Sequence, residues 1–437
     1  MKKTFPILFY ALIFLFFIQA AGTLVESIYI LDLMHLNLDT KVLGLFFFFT
    51  PLLLIPFYKK FRLPLVWITF ALLLLARSLL PYLNTASRLV ASGIATGAAL
   101  SLFFLMLNAQ PRRSSWANTG LWASAGLALA VSLSVLLRTI YYGLDYSLTP
   151  SGGWTGILLG LLLAGLLFQL EPGSEPGKAK KTGGVTPAIL GVFLVLTLIY
   201  FAFSAPAVIA RWTEANYTLI VLAVSLLAAG WILLALFCPQ FFQRIRPSIL
   251  LAWNLAFTAC LTGTILWHSV SFPATSTSAP IAVGAPTAWQ AIPLVLMLLL
   301  FPVLFFDLGI FLDRLKQAAP TPPDLVPGIL LGGLALVLLV FAQIFTNVWG
   351  YVQPVSLFFR GKFWLVYLLP AGILSLLLWN VKKTSPKADK ESAGHFPWTW
   401  ALLLGAIFLG TLVRALPVKR VQSDSNDKAF LTVMTYN

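Results

Sequence analysis

FPILFYALIFLFFIQAAGTLVESIYIL, residues 5–31, carries a single charged side chain, Glu26, in an otherwise apolar run. A helix of this length, rising about 1.5 Å per residue, reaches farther than the roughly 30 Å of hydrocarbon in a bilayer. Met1-Lys2-Lys3 in front imitates the start of a signal peptide, with a conceivable cleavage near Ala20-Ala21. The apolar run continues to Leu31, longer than a signal peptide's apolar stretch, so it reads as a retained first membrane helix.

The same pattern recurs along the chain. Twelve further apolar stretches are long enough to cross a bilayer, at 42–58, 63–83, 88–108, 119–141, 154–170, 187–210, 218–238, 249–270, 289–311, 326–345, 363–379 and 398–416. With the N-terminus inside, the inside segments hold 18 Lys and Arg and the outside loops and their edges hold six. That bias sets the orientation: N-terminus cytoplasmic, C-terminus outside, in a plasma (bacterial inner) membrane. Trp67 and Trp398 mark the inner interface, and Trp212, Trp289 and Trp349 the outer one. Two long polar segments, 171–186 and 381–397, divide the spans. The organisation is a first six-helix bundle (1–170), a cytoplasmic linker (171–186), a second six-helix bundle (187–380), a second linker (381–397), a thirteenth membrane helix (398–417) and an outside segment (418–437). A short echo supports duplication: Lys60-Phe61-Arg62-Leu63-Pro64 precedes Trp67, and Arg244-Ile245-Arg246-Pro247 precedes Trp253 in the equivalent loop.

Composition agrees. Of 437 residues, 59% are hydrophobic and 10% charged, against about 25% charged in a soluble domain. The net charge of +15 follows from basic cytoplasmic loops. No basic cluster interleaved with aromatics is present, so the membrane part binds no nucleic acid. Cys238 and Cys260 lack metal-site spacing and read as packing residues.

Ionisable residues at membrane depth face a partner or a cavity. Glu26, Arg77 and Arg138 fall at similar depth near the outer ends of spans one, three and five. Two readings stand. They form an ion-pair lock or an outward-facing anion site for a phosphate-bearing head group. Alternatively, Arg138 snorkels to the interface and Arg77 pairs with Glu26. Asp307, close to Asp313 and Arg314, reads as a solvated edge at the inner end of span ten.

Two resemblances follow from short stretches. Arg88-Leu89-Val90-Ala91-Ser92-Gly93-Ile94-Ala95-Thr96-Gly97-Ala98, with the six-plus-six layout, resembles the Arg- and Gly-containing fourth helix of major facilitator transporters. The loop Pro56-Phe57-Tyr58-Lys59-Lys60-Phe61-Arg62 lacks the glycines and the Asp-Arg pair of that family. At the other end, Ala429-Phe430-Leu431-Thr432-Val433-Met434-Thr435-Tyr436-Asn437 resembles the first strand of the endonuclease/exonuclease/phosphatase fold. Multi-span proteins ending in such a domain include the membrane proteins that remodel GPI-anchor lipids and many bacterial homologues.

That resemblance implies an all-α polytopic membrane protein of two six-helix bundles plus one further helix, ending in the first strand of a missing α/β domain. It implies that Asn437 belongs to a catalytic site using Mg²⁺ or Mn²⁺, and that the remaining site residues lie beyond Asn437. This chain alone is then inactive. The expected function is the membrane region of a surface-facing protein acting on phosphodiester or lipid-linked phosphate substrates, with membrane lipid as partner. The alternatives are a facilitator-like solute or lipid transporter and a membrane scaffold without substrate.

Overall fold

The computed structural model describes residues 4–33, 38–57, 62–108, 119–141, 143–170, 184–268, 287–347, 362–379 and 398–416. The helices are α1 (Thr4–Leu33), α2 (Leu38–Phe48), α3 (Thr50–Leu54), α4 (Arg62–Leu79), α5 (Thr85–Asn108), α6 (Thr119–Ile140), α7 (Gly153–Leu170), α8 (Val185–Leu198) and α9 (Ala207–Thr213). They continue with α10 (Tyr217–Phe237), α11 (Pro239–Arg244), α12 (Pro247–Trp267), α13 (Ala288–Leu300), α14 (Val303–Ala318), α15 (Pro322–Asn347), α16 (Trp364–Trp379) and α17 (Trp398–Ala415). No strand occurs among the described residues, which hold one isolated bridge between Tyr141 and Leu144.

Ten helical segments are long and apolar enough to cross a membrane, and two shorter apolar helices cover Gly153–Gln169 and Trp364–Trp379. This is an integral, multi-pass, all-helical membrane protein. The stretch expected as one span at 42–58 is instead broken in two. Pro51 has no N–H to give the Phe47 carbonyl, and the Thr50 hydroxyl takes that carbonyl at 2.8 Å. The helix therefore stops at Phe48, restarts at Thr50, and tightens to a 3₁₀ turn over Ile55–Phe57. The stretch at 187–210 is likewise interrupted: α8 runs into a π-helical segment, Ile199–Phe203, and α9 begins only after Pro206. Span ten divides at Phe301-Pro302 and then runs on to Ala318, beyond the expected end at 311. This continuation buries Asp307 and Asp313, so neither is the solvated edge expected of that region. Cys260 packs against the core as expected, whereas Cys238 ends α10 and is exposed.

α1 is the axis of the molecule. Its residues from Ile7 to Ala21, Leu8 apart, are almost wholly buried. An all-round apolar helix belongs in an interior, and here α5, α6 and α7 enclose it. α8 holds a comparable place against α14, α15 and α16. α4 packs on α5 and α7, as α12 packs on α13 and α16. α6 meets α10 and α14, α3 meets α15, and α17 lies along α6 and α10. The outer helices carry exposed leucines, among them Leu75, Leu161, Leu299, Leu338, Leu376 and Leu402. A contiguous apolar exterior of this kind faces lipid.

α2 and α5 touch backbone to backbone. A Cβ at Gly93 would collide with the Gly44 carbonyl oxygen, and one at Gly97 with the Phe47 carbonyl oxygen and the Thr50 hydroxyl. Small residues four apart allow such approach between membrane helices. Gly93→Ala should therefore destabilise by about 1–3 kcal/mol, as overpacking does, and lower the thermal midpoint in detergent. Gly165→Ala, which meets nothing within 4 Å, should leave the midpoint unchanged or raised. Equal midpoints for the two variants would show that α2 does not pack on α5 in this way.

Candidate functional site

The end of the bundle where α1, α4 and α6 finish and α5 and α7 begin holds a connected network of buried polar side chains. Arg77, in the last turn of α4, is 0% exposed. Its Nε donates to Gln19 Oε1 at 2.8 Å, and its Nη2 donates to Ser147 Oγ at 2.6 Å. Gln19, on the enclosed face of α1, turns its amide nitrogen to Asp145 Oδ2 at 2.9 Å and to Ser147 Oγ at 3.0 Å. Ser147 Oγ in turn donates to Asp145 Oδ1 at 2.6 Å. Every hydrogen of the Gln19 amide and every position on the Ser147 hydroxyl is used, which fixes the amide orientation. Asp145 also caps the 3₁₀ turn Tyr146–Leu148 by accepting from Ser147 N, so the loop between α6 and α7 is locked as part of the network. The Phe16 ring lies 5.8 Å from the Arg77 guanidinium carbon. Gly156 on α7 makes room for it, since a Cβ there would stand 3.0 Å from Nη1.

The anticipated Glu26–Arg77 pair is therefore not formed. All three guanidinium nitrogens donate to Gln19 or Ser147, with Asp145 supplying the negative charge through both. Gln19, Asp145 and Ser147 were not among the residues anticipated. The only sequence signals for them are a lone amide in an apolar run and an Asp two residues before a Ser in a loop.

Arg138, in the last turn of α6, is in a different condition. It is half-buried; Nη1 donates to the Gly143 carbonyl at 3.3 Å, and Nε is buried without a hydrogen-bond partner. A Cβ at Gly22 of α1 would lie 3.8 Å from Arg138 Nη2 and 3.4 Å from the Tyr200 ring, so both side chains border the space that Gly22 leaves. Glu26 is one turn farther along α1, on the same face as Gly22, and is exposed. Arg138 and Arg88 both act on its carboxylate, yet it forms no ion pair among the described residues. Tyr200 comes from the π-helical segment at the end of α8. Such segments recur at functional sites because the extra residue re-aims a side chain. Ser134 of α6 donates to the Ser204 carbonyl at 2.9 Å, tying that segment to α6.

α17 ends at this same end of the bundle. Its first turn is beside the start of α1, where Trp400 Nε1 donates to Thr4 Oγ1 at 3.3 Å. Its last turn is beside the start of α10, where Thr218 Oγ1 donates to the Ala415 carbonyl at 2.6 Å. α17 thus runs parallel to α1 and finishes where Glu26 and Arg138 are. Asn437 lies outside the described residues. Among the described residues no group of His, Cys, Asp and Glu could hold a metal ion. Asn216, first residue of the sequon Asn216-Tyr217-Thr218, caps α10 by accepting from Leu219 N at 3.1 Å. No family model matches the chain, and no curated protein matches it either.

Breaking the Arg77 network from one side should be costly. Arg77→Met leaves Asp145 buried without a cation, and a loss of about 3–5 kcal/mol is expected for such a change. Arg77→Met combined with Asp145→Asn should cost clearly less than the sum of the two single changes, read from thermal unfolding of the purified protein. Arg77→Met with Glu26→Gln should be additive. Coupling to Glu26 in place of Asp145 would reverse the assignment.

Proposed function

We propose that this chain is the membrane region of a surface-facing protein that binds a phosphate-bearing, lipid-linked substrate at the Glu26–Arg138–Tyr200 end of the bundle. The observation that carries this reading is the condition of Arg138: a half-buried guanidinium with a buried, unused donor, bordering the same space as Tyr200. A guanidinium with free donors matches a phosphate oxygen. The Tyr200 hydroxyl is a second donor bordering that space, and the Glu26 carboxylate accepts from hydroxyl or amine hydrogens of a head group. α17 ends at this same end of the bundle, its Ala415 carbonyl accepting from Thr218 Oγ1.

In this reading the chain crosses a plasma (bacterial inner) membrane thirteen times. Ten long segments, two shorter helices and the broken α2–α3 segment make up that number. The N-terminus is cytoplasmic, and the Arg138 end faces outward. Reporters active on one side of the membrane, fused at Lys387 and at Asn437, should give opposite signals; equal signals would overturn the crossing number.

A facilitator-type transporter is the second reading, favoured by repetition in the packing. α1 against α5, α6 and α7 recurs six spans later as α8 against α14, α15 and α16. α4 on α5 and α7 recurs as α12 on α13 and α16, and the α6–α10 contact has its counterpart in α3–α15. Two six-span halves related by a pseudo-twofold axis account for all of these.

Binding of a short-chain phosphatidic acid to the purified protein tests the first reading. Arg138→Gln should weaken it by roughly 10- to 100-fold, the equivalent of one charge-assisted hydrogen bond at about 1.5–3 kcal/mol. Tyr200→Phe should weaken it less, and the matching diacylglycerol should not compete. Equal affinity for the two lipids, or no effect of Arg138→Gln, would remove the phosphate site.

A further inference from the structure

We propose that Asp307 is a proton-binding site inside the membrane-spanning bundle, with Asn254 as its fixed partner. Asp307 lies on α14 and is 0% exposed; Asn254 lies on α12 and is 1% exposed. Asn254 Nδ2 donates to Asp307 Oδ1 at 3.1 Å and to the Leu250 carbonyl at 3.3 Å. Both amide hydrogens are thereby used, and none is left for Asp307 Oδ2. That oxygen is fully buried and has no hydrogen-bond partner.

No counter-ion replaces the missing bond. α14 packs on α6, α8 and α12, and its Phe305 and Phe306 also meet Trp231 of α10 and Phe242 of α11. α8, α10 and α12 carry no charged residue, nor does α13, which precedes α14 in the same span. α11 ends in Arg244, which is exposed and forms no ion pair with Asp307. The one charged residue of α6 is Arg138. It is 14 residues past Ser124, the α6 residue beside Gly309, and so about 20 Å away along the helix axis. On α14 itself Asp313, Arg314 and Lys316 lie six or more residues beyond Asp307. Asp313 is engaged with Gly120 N at 2.9 Å and Lys316 with Thr119 Oγ1 at 3.0 Å, both on α6. The nearby side chains of known contact are aromatic: Phe203 stacks on Phe301, and Phe301 meets Phe305 edge-on.

A carboxylate in this setting would hold its charge on a single hydrogen bond, out of water and without a cation, at a cost of several kcal/mol. One proton resolves it. A hydronium ion gives its proton to Oδ2, the O–H bond forms, the charge is discharged, and water leaves. Oδ1, already accepting from Asn254, stays as the carbonyl oxygen. Release reverses the step. The break at Phe301-Pro302, just over one turn before Asp307, is where this span bends, because Pro302 has no N–H for the helix ladder.

Infrared spectroscopy of the full chain in lipid nanodiscs tests this. The wild type should show a protonated-carboxyl C=O band at neutral pH, sensitive to deuterium oxide and insensitive to sodium, and Asp307→Asn should remove it. Asn254→Val keeps the acid but takes away the donor to Oδ1, and should move the same band to higher frequency. The band shift in Asn254→Val carries the test if Asp307→Asn fails to fold. A band unchanged in both variants, or absent from the folded wild type, overturns the proposal; loss of the band on adding sodium assigns the site to a metal cation and also overturns it.

Discussion

Gln19 is placed where water cannot reach it, in the middle of a helix that other helices enclose, and the polar end of the molecule is arranged around that fact. An amide so placed needs partners for two hydrogens and a carbonyl oxygen. α4 supplies Arg77 to the oxygen, and the α6–α7 loop supplies Asp145 and Ser147 to the hydrogens. Four polar side chains from three separate stretches of chain satisfy one another, and the registers of α1, α4 and the loop are fixed together. A half-satisfied version would be worse than an apolar core, because each orphaned group would keep its full desolvation cost.

That saturation gives meaning to the groups left unsaturated. Arg77 and Arg138 are the same residue type at the same end of the bundle, each in the last turn of its helix. Arg77 has used its donors on the protein, whereas Arg138 has a buried donor unused and a hydroxyl-bearing ring bordering the same space. The two aspartates of α14 differ in the same manner. Asp313 caps the first turn of α6 through Gly120 N, where the helix dipole favours a carboxylate. Asp307, less than two turns earlier, has one oxygen engaged and one bare. In each pair the residue without its full complement is the one with chemistry to offer.

The interruptions in the helices fall where these groups need them. Pro51, Pro206 and Pro302 each sit at a break, and each leaves a carbonyl that something else must take or tolerate. At Pro51 the taker is Thr50, and the resulting bend is held against Gly97 of α5. Before Pro206 the chain winds as a π-helix, which turns Tyr200 toward α1 and α6.

Long apolar stretches such as 5–31, with Glu26 as its one charge, can only be membrane helices, because the backbone satisfies itself and the side chains need lipid or each other; that much the order of residues decides. Pro51, Pro206 and Pro302 stand inside stretches that read as unbroken spans, and only the structure shows where each helix stops. Which polar residues meet was not readable. Depth along the spans brought Glu26, Arg77 and Arg138 to one level. Depth says nothing about the direction a side chain takes around the helix axis. Arg77 turns inward to Gln19, 58 residues away, and Gln19 to Asp145, 126 residues away. Asp307 looked like a wetted edge because charged neighbours follow it in the chain. Only the packing of α14 between α6, α8 and α12 excludes water from it, and that exclusion is a property of three dimensions.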